Sequence, residues 1–312
     1  MMIKPGTKAI LWMIPGAALM LVFVLVAAHF YKPENPAEKL AFKTRRADLV
    51  GRMQLALASA SEAEKSAVLA ITDEESQRFA DQARAATGQL ERERLELEDL
   101  LKAGGTQGEK DLLAQFSKAF TELQRIDKEV LSLAVKNTNV KAYSLAFGPA
   151  ADTIKEMNEA LSSLVAAHTD SPEAKKVMIL AFGAETSALR IQTLLPPHIA
   201  EESDQKMDAL ESQMDKEDRQ VRKDLDGLAA LPELSGSNDL ATARSRYAKY
   251  TKIKTQILAL SRENTNVRSL TISLNQKRKA MLLCQEALSA LKQAILEEPI
   301  KGVTYGSPPH PR

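Results

Sequence analysis

The chain has 312 residues, 44% of them hydrophobic and only 4% aromatic, with 42 basic and 41 acidic side chains for a net charge of +1. That balance gives no reason to expect a nucleic-acid partner, and the single cysteine, Cys284, excludes an internal disulfide. Few aromatics with abundant Ala and Leu suit helices packed by small aliphatic side chains.

Residues Ala9–Tyr31 form an uncharged apolar run of 31 − 9 + 1 = 23 residues, enough to cross a bilayer core as a helix, which takes about 20. Trp12 and Tyr31 near its ends suit the headgroup region. This predicts a single-pass anchor in the inner (cytoplasmic) membrane, with a cleaved signal peptide as the rival reading. Two lysines precede the run, and Lys32, Lys39, Lys43, Arg45 and Arg46 follow it. Counted simply, that would hold the body in the cytoplasm. A short basic start before an apolar span is also an export signal, and on that ground the body is expected to be periplasmic or extracellular.

After a Pro-containing hinge at residues 32–36, helical patterning is continuous and strand-like alternation is absent. Thr72-Asp73 is a natural N-cap, Ala103–Gly108 a loop, and Asn137-Thr138-Asn139 a turn. Gly148-Pro149 predicts a kink, and Thr169–Glu173 ends a first group of four helices. The second group repeats the plan. Its first helix is expected to end at Pro196-Pro197, its second to open near Glu201, and its last to fade at Glu298-Pro299 before a disordered tail at 299–312. In its second helix Met207, Leu210, Met214, Val221, Leu225 and Leu228 make one apolar stripe on a charged helix.

The two groups are copies. Val130-Leu131-Ser132-Leu133 and Asn137-Thr138-Asn139-Val140 recur as Ile257-Leu258-Ala259-Leu260 and Asn264-Thr265-Asn266-Val267, an offset of 264 − 137 = 127. Glu74-Glu75-Ser76 recurs at Glu201-Glu202-Ser203, and Glu159–Leu164 at Glu286–Leu291, with the same offset. A gap-free repeat this long argues for two copies of one small domain rather than a solenoid. The expected fold is all-α: an N-terminal transmembrane helix (1–36, with the hinge), then two sequential antiparallel four-helix bundles, 37–170 and 171–298.

Each copy resembles the four-helix-bundle ligand-binding domain of methyl-accepting chemotaxis receptors. The resemblance rests on Ile71-Thr72-Asp73-Glu74-Glu75, the helix around Val130–Ala134 and the turn into Val140-Lys141-Ala142. In the second copy it rests on Leu189–Leu195, Ile257–Leu260 and the turn into Val267-Arg268-Ser269. It implies a membrane-anchored sensory or ligand-binding protein. That family returns to the membrane and carries a cytoplasmic signalling coiled coil, whereas no second run of 18 or more apolar residues occurs here. Signalling is therefore expected to pass through a partner protein or a homodimer. The tandem also resembles the bimodular sensor domains of some receptors. Those interleave their helices, whereas a sequential gap-free repeat argues for separate bundles. The alternative function is an envelope scaffold without a small-molecule ligand.

The resemblance singles out Arg190, because arginines near the end of the first bundle helix bind carboxylates in that family. Arg190 shares a helical stripe with Gly183, Ser187 and Leu194, and the small residues leave room for a small organic anion or amino acid. The bland reading is an arginine snorkelling along the helix surface. Its repeat equivalent, 190 − 127 = 63, is Ala63, so only one copy could bind this way. Asn264 and Asn266 could form a polar floor for a ligand, against a structural reading in which each Asn ends one helix and caps the next. The four histidines make no ligand pattern, Gly104–Lys110 lacks the ending of a phosphate loop, and no catalytic constellation stands out. The expectation is a non-enzymatic protein without metal or cofactor.

Overall fold

The computed structural model describes residues 35–299, and among them every regular element is helical. In chain order these are α1 Pro36–Leu69, α2 Asp73–Gly104, α3 Gln107–Ala134, α4 Thr138–Leu145, a π-helical turn Ala146–Ala150 and α5 Ala151–Ala167. There follow α6 Ala174–Ala200, α7 Asp204–Ala229, a 3-10 turn Pro232–Leu234, α8 Asn238–Glu263, α9 Thr265–Ile272, a second π-helical turn Ser273–Lys277 and α10 Arg278–Glu297. The 9–31 run and most of the 299–312 tail lie outside the described residues. Among those described, no helix is long and apolar enough to cross a membrane.

The helix starts follow their sequence. Thr72 Oγ1 accepts from the Glu75 amide, and Thr106 and Glu109 form a reciprocal capping box where the Gly-rich loop meets α3. α6 runs on through Pro196 and Pro197 to Ala200, contrary to the expected stop. Both prolines fall in its last turns, so the helix continues only three residues past the two amides it lacks. The expected Gly148-Pro149 kink is instead the π turn 146–150. A second π turn stands one repeat later at 273–277, where no proline occurs. The bulge is a property of the repeat, not of Pro149.

The helices close into two bundles, but not the sequential pair. One core holds Leu49–Val68 of α1, Ala80–Leu101 of α2, Leu113–Ala134 of α3 and Ala280–Ile295 of α10. The other holds Ala142–Leu164 of α4 and α5, Val177–Ile199 of α6, Met214–Leu228 of α7 and Leu240–Ile257 of α8. Each bundle thus takes three helices from one repeat and its fourth from the other, so the boundaries 37–170 and 171–298 do not bound packing units. The α3–α5 and α8–α10 rods cross from one bundle to the other at the two Asn-Thr-Asn turns. The α7 stripe is as expected: Met207, Met214, Val221, Leu225 and Leu228 are buried.

Buried charge explains the exchange. Lys277, on the second rod, is 3% exposed, and its ammonium lies 2.7 Å from Glu64 Oε2 of α1 and 2.8 Å from Asp127 Oδ1 of α3. The equivalent of Lys277 is Ala150 (277 − 127), that of Glu64 is Ile191 (64 + 127), and that of Asp127 is Lys254 (127 + 127). Sequential closure would set Ala150 against two buried carboxylates and Lys277 against Ile191 and Lys254. An uncompensated buried charge costs several kcal/mol. At the bundle's far end Arg46, 2% exposed, joins Glu109 and Glu298, and the Lys43 ammonium donates to the Leu296 and Glu298 carbonyls at 2.6 and 2.7 Å. The equivalent of Glu298 is Ser171 (298 − 127), which could not answer Arg46.

Burial pushes the Asp127 carboxyl above its ordinary 3.8, Lys277 pulls it back, and the Glu64 charge adds to the rise. Burial also pushes the Cys284 thiol up to about 12, helped by the charge of Asp127, so it stays an inert thiol. Lys277→Met should lower stability by about 3–5 kcal/mol in urea denaturation at neutral pH. Without Lys277 the Asp127 pKa rises further. The folded state then binds a proton the unfolded chain has already lost, so the loss should shrink as pH falls towards 3.8. A variant that also replaces Glu64 and Asp127 by apolar residues of similar volume should recover most of it.

Candidate functional site

The two Asn-Thr-Asn turns meet face to face where the bundles join. Asn137 and Asn264 both have φ 51°, the left-handed conformation that Asn tolerates better than most residues. Each turn leaves the first amides of the following helix without a partner in its own segment. The other turn supplies it. Thr138 N donates to Thr265 Oγ1 at 3.2 Å, and Thr265 N to Thr138 Oγ1 at 3.1 Å. Asn139 N donates to Asn266 Oδ1, and Asn266 N to Asn139 Oδ1, both at 3.1 Å. Residues one repeat apart bond reciprocally, as in an isologous two-fold contact. Contrary to the expected local caps, neither Asn137 nor Asn264 caps the helix it opens; Thr and Asn side chains of the other repeat do so.

The remaining amide groups tie the junction to the ends of α1 and α6. Asn137 Nδ2 donates to Thr72 O and Asn264 Nδ2 to Glu201 O, at 3.2 and 2.8 Å. Asn139 Nδ2 donates to Ile199 O and Asn264 Oδ1, both at 2.7 Å. Asn264 and Asn266 are therefore saturated by protein partners and form no open ligand floor.

Beside this junction lies a constellation that sequence reading missed. His198 is fully buried; its Nδ1 is 2.8 Å from Ser261 Oγ, and its Nε2 2.8 Å from Glu211 Oε1. Arg262 Nε also donates to Glu211 Oε1 at 2.8 Å, and this bond is the largest influence holding that carboxyl below its usual range, with His198 adding to it. Ser261 and Glu211 lie 63 and 13 residues from His198, so no local motif joined them. A hydroxyl, an imidazole and a carboxylate in series resemble a nucleophile with its base and orienting acid. Ser261 is 0% exposed, so no substrate carbonyl can reach its Oγ, and the set works as a buried strut between α6, α7 and α8.

The other predicted site residues sit elsewhere. Arg190 lies 200 − 190 = 10 residues before the end of α6, about 15 Å along the helix from the junction. Its side chain is 63% exposed and lies 3.6 Å from Glu217 of α7, the snorkelling reading. Ser187 is 3% exposed, inside the bundle. The room beside Gly183 is taken: a Cβ there would stand 2.5 Å from Asp224 Oδ2. The structure does not bring Arg190 and Ser187 together with Asn264 and Asn266.

Open space lies instead between α5 and α6. A groove of about 530 Å³ is lined by Ala151, Ile154, Asn158, Glu159, Leu189 and Gln192, with Lys155, Ser162 and Ser163 at its sides. It begins where the first π turn ends, and Gln192 Nε2 donates to the Ala146 carbonyl of that turn at 2.6 Å. A second opening, of about 490 Å³ beside Phe42, Arg46 and Gly104, lies at the far end of the α1–α3/α10 bundle. Among the described residues no group of three or more His, Cys, Asp or Glu is placed to hold a metal.

The close approach at Gly183 is directly testable. Gly183→Ala should destabilise by about 1–3 kcal/mol in urea denaturation, because the new methyl must push the Asp224 carboxylate aside. Combining it with Asp224→Ala should return much of that loss, whereas additive losses would show that the contact is not the cause.

No curated protein matches the chain. Residues 54–178 match the model of the four helix bundle sensory module for signal transduction. The match runs from within α1 to the start of α6. It therefore follows one sequence repeat and not one packed bundle, since its α4 and α5 belong to the other core. Over this stretch the chain is similar to the four helix bundle sensory modules of signal transduction.

Proposed function

We propose that the protein is a membrane-tethered, non-enzymatic sensor that binds a small molecule and signals through a partner. The observation that carries this reading is the sensory-module match over residues 54–178. In this reading the apolar run 9–31 holds the chain in the inner membrane with its body on the outer side, and the ligand is a small organic anion or an amino acid. A homodimer or a separate signalling protein receives the change. Two features support transmission along the chain: the α3–α5 and α8–α10 rods each belong to both bundles, and each turns at the shared junction. A change of packing in one bundle therefore loads a helix of the other.

The absence of chemistry in this reading fits the burial of Ser261 and His198, the one nucleophile–base pair noted among the described residues. A second reading, contact with a second copy or a scaffold partner, is favoured by exposed Met178, Phe182 and Leu189, spaced along one face of α6.

A thermal-shift screen against amino acids, organic acids and small aromatics tests the sensory reading. A cognate ligand at about one hundred times its Kd adds about 2.7 kcal/mol, which raises the Tm by several degrees. A protein that responds to none of these classes but self-associates in light scattering would favour the contact reading.

A further inference from the structure

We infer that one face of α10 is a contact with a second copy of this chain, an inference that rests on the homodimer option of the sensory reading and names its surface. Lys279, Leu282, Leu283 and Glu286 share that face, at spacings of three, one and three. Leu282 is 47% and Leu283 57% exposed. Lys279 and Glu286 are exposed beside them, and among the described residues neither has an ion-pair or side-chain hydrogen-bond partner. A groove of about 550 Å³ runs along Leu283 and Glu286 between α10 and α3, walled by Leu112, Ala119, Ala287 and Ala290.

The other bundle shows that the fold does not need these leucines. One repeat earlier, 127 residues down the chain, α5 carries Asp152, Lys155, Glu156 and Glu159 on the same face. Lys155 pairs with Glu159 at 3.8 Å, and Glu156 reaches across to Arg246 of α8 at 3.1 Å. Arg246 is the equivalent of Ala119 (119 + 127), and Glu156 that of Leu283 (283 − 127). An ion pair thus spans the seam that stays open and apolar between α3 and α10. α5 settles its charges within the chain, and α10 leaves them to be met from outside.

The order of the stripe says by what. It reads cation, leucine, leucine, anion, and turned end for end it reads anion, leucine, leucine, cation. An antiparallel second copy therefore sets each Lys279 beside the other copy's Glu286, with the four leucines between them. A parallel copy would set like charges together, which is unfavourable. This is the self-complementarity of an isologous two-fold contact, with an apolar centre and a polar rim. The start of α1 lies by the end of α10, where Lys43 donates to the Leu296 and Glu298 carbonyls. The two α1 starts leave an antiparallel pair on opposite sides. Two chains tethered to one membrane meet in this way with their bundles lying along the bilayer, not standing on it.

Sedimentation equilibrium of the whole chain in density-matched detergent tests this, since the 9–31 run is the same in every variant. The unaltered chain should form dimers and nothing larger. Lys279→Glu and Glu286→Lys should each weaken the dimer roughly tenfold or more, because each replaces two attractions by two repulsions. The double variant should recover the dimer, and so should an equimolar mixture of the two single variants. Leu283→Glu should abolish it with an unchanged melting curve. A chain that stays monomeric, single charge reversals that associate like the unaltered chain, or a double variant as weak as the singles would overturn the inference. A dimer lost in Phe182→Glu but kept in Leu283→Glu would overturn it too, by moving the contact to α6. None of these outcomes bears on ligand binding, which the thermal-shift screen reads separately.

Discussion

The exchange of helix caps at the junction is the constraint from which the rest of the architecture follows. Two helix starts, α4 and α9, emerge from left-handed asparagines with their first amides unsatisfied, and each is capped by Thr and Asn side chains of the other. A cap is worth about 1 kcal/mol, and a buried amide left bare costs more than that. Neither turn can be satisfied without its counterpart alongside. Once they meet, the rods they interrupt are committed to run from one bundle into the other. The arrangement is that of a two-fold dimer made within one chain.

Electrostatics then make the exchange specific. Apolar stripes in the two repeats are alike enough that hydrophobic burial alone would accept either partner for each bundle. The positions where the repeats differ in charge are those that discriminate: Lys277 against Ala150, Asp127 against Lys254, Glu298 against Ser171. In the α1–α3/α10 bundle a cation from the second repeat pairs with two carboxylates of the first. In the other bundle Lys254 stands 4.0 Å from Asp218, which also accepts from Tyr247 and Arg222. Duplicated units that began with the same core have come to require each other's charges, a case of buried ion pairs setting specificity more than stability.

Helix positions and the α7 stripe were legible in the sequence, because periodicity and capping are local. The exchange was not, because a repeat offset of 127 residues describes sequential and interleaved closure equally well. The deciding signal was present as unlike residues at equivalent buried positions, but recognising it requires knowing which positions are buried. The same holds for the sites. Arg190 was chosen by resemblance and proves to be a surface cation paired with Glu217. Gly183 was read as room and is instead where Asp224 packs. His198 drew its partners from two other helices.

The central claim is that each bundle is built from both repeats. Its most direct test is to place a specific protease site in the exposed turn between Thr169 and Glu173, cut the folded protein there, and follow the pieces by native size-exclusion chromatography and urea unfolding. An interleaved fold predicts that the two fragments stay together as one particle of unchanged size and unfold in a single transition in which both lose structure. Fragments that separate into two folded species, each unfolding on its own, would contradict it and restore two independent bundles in sequence.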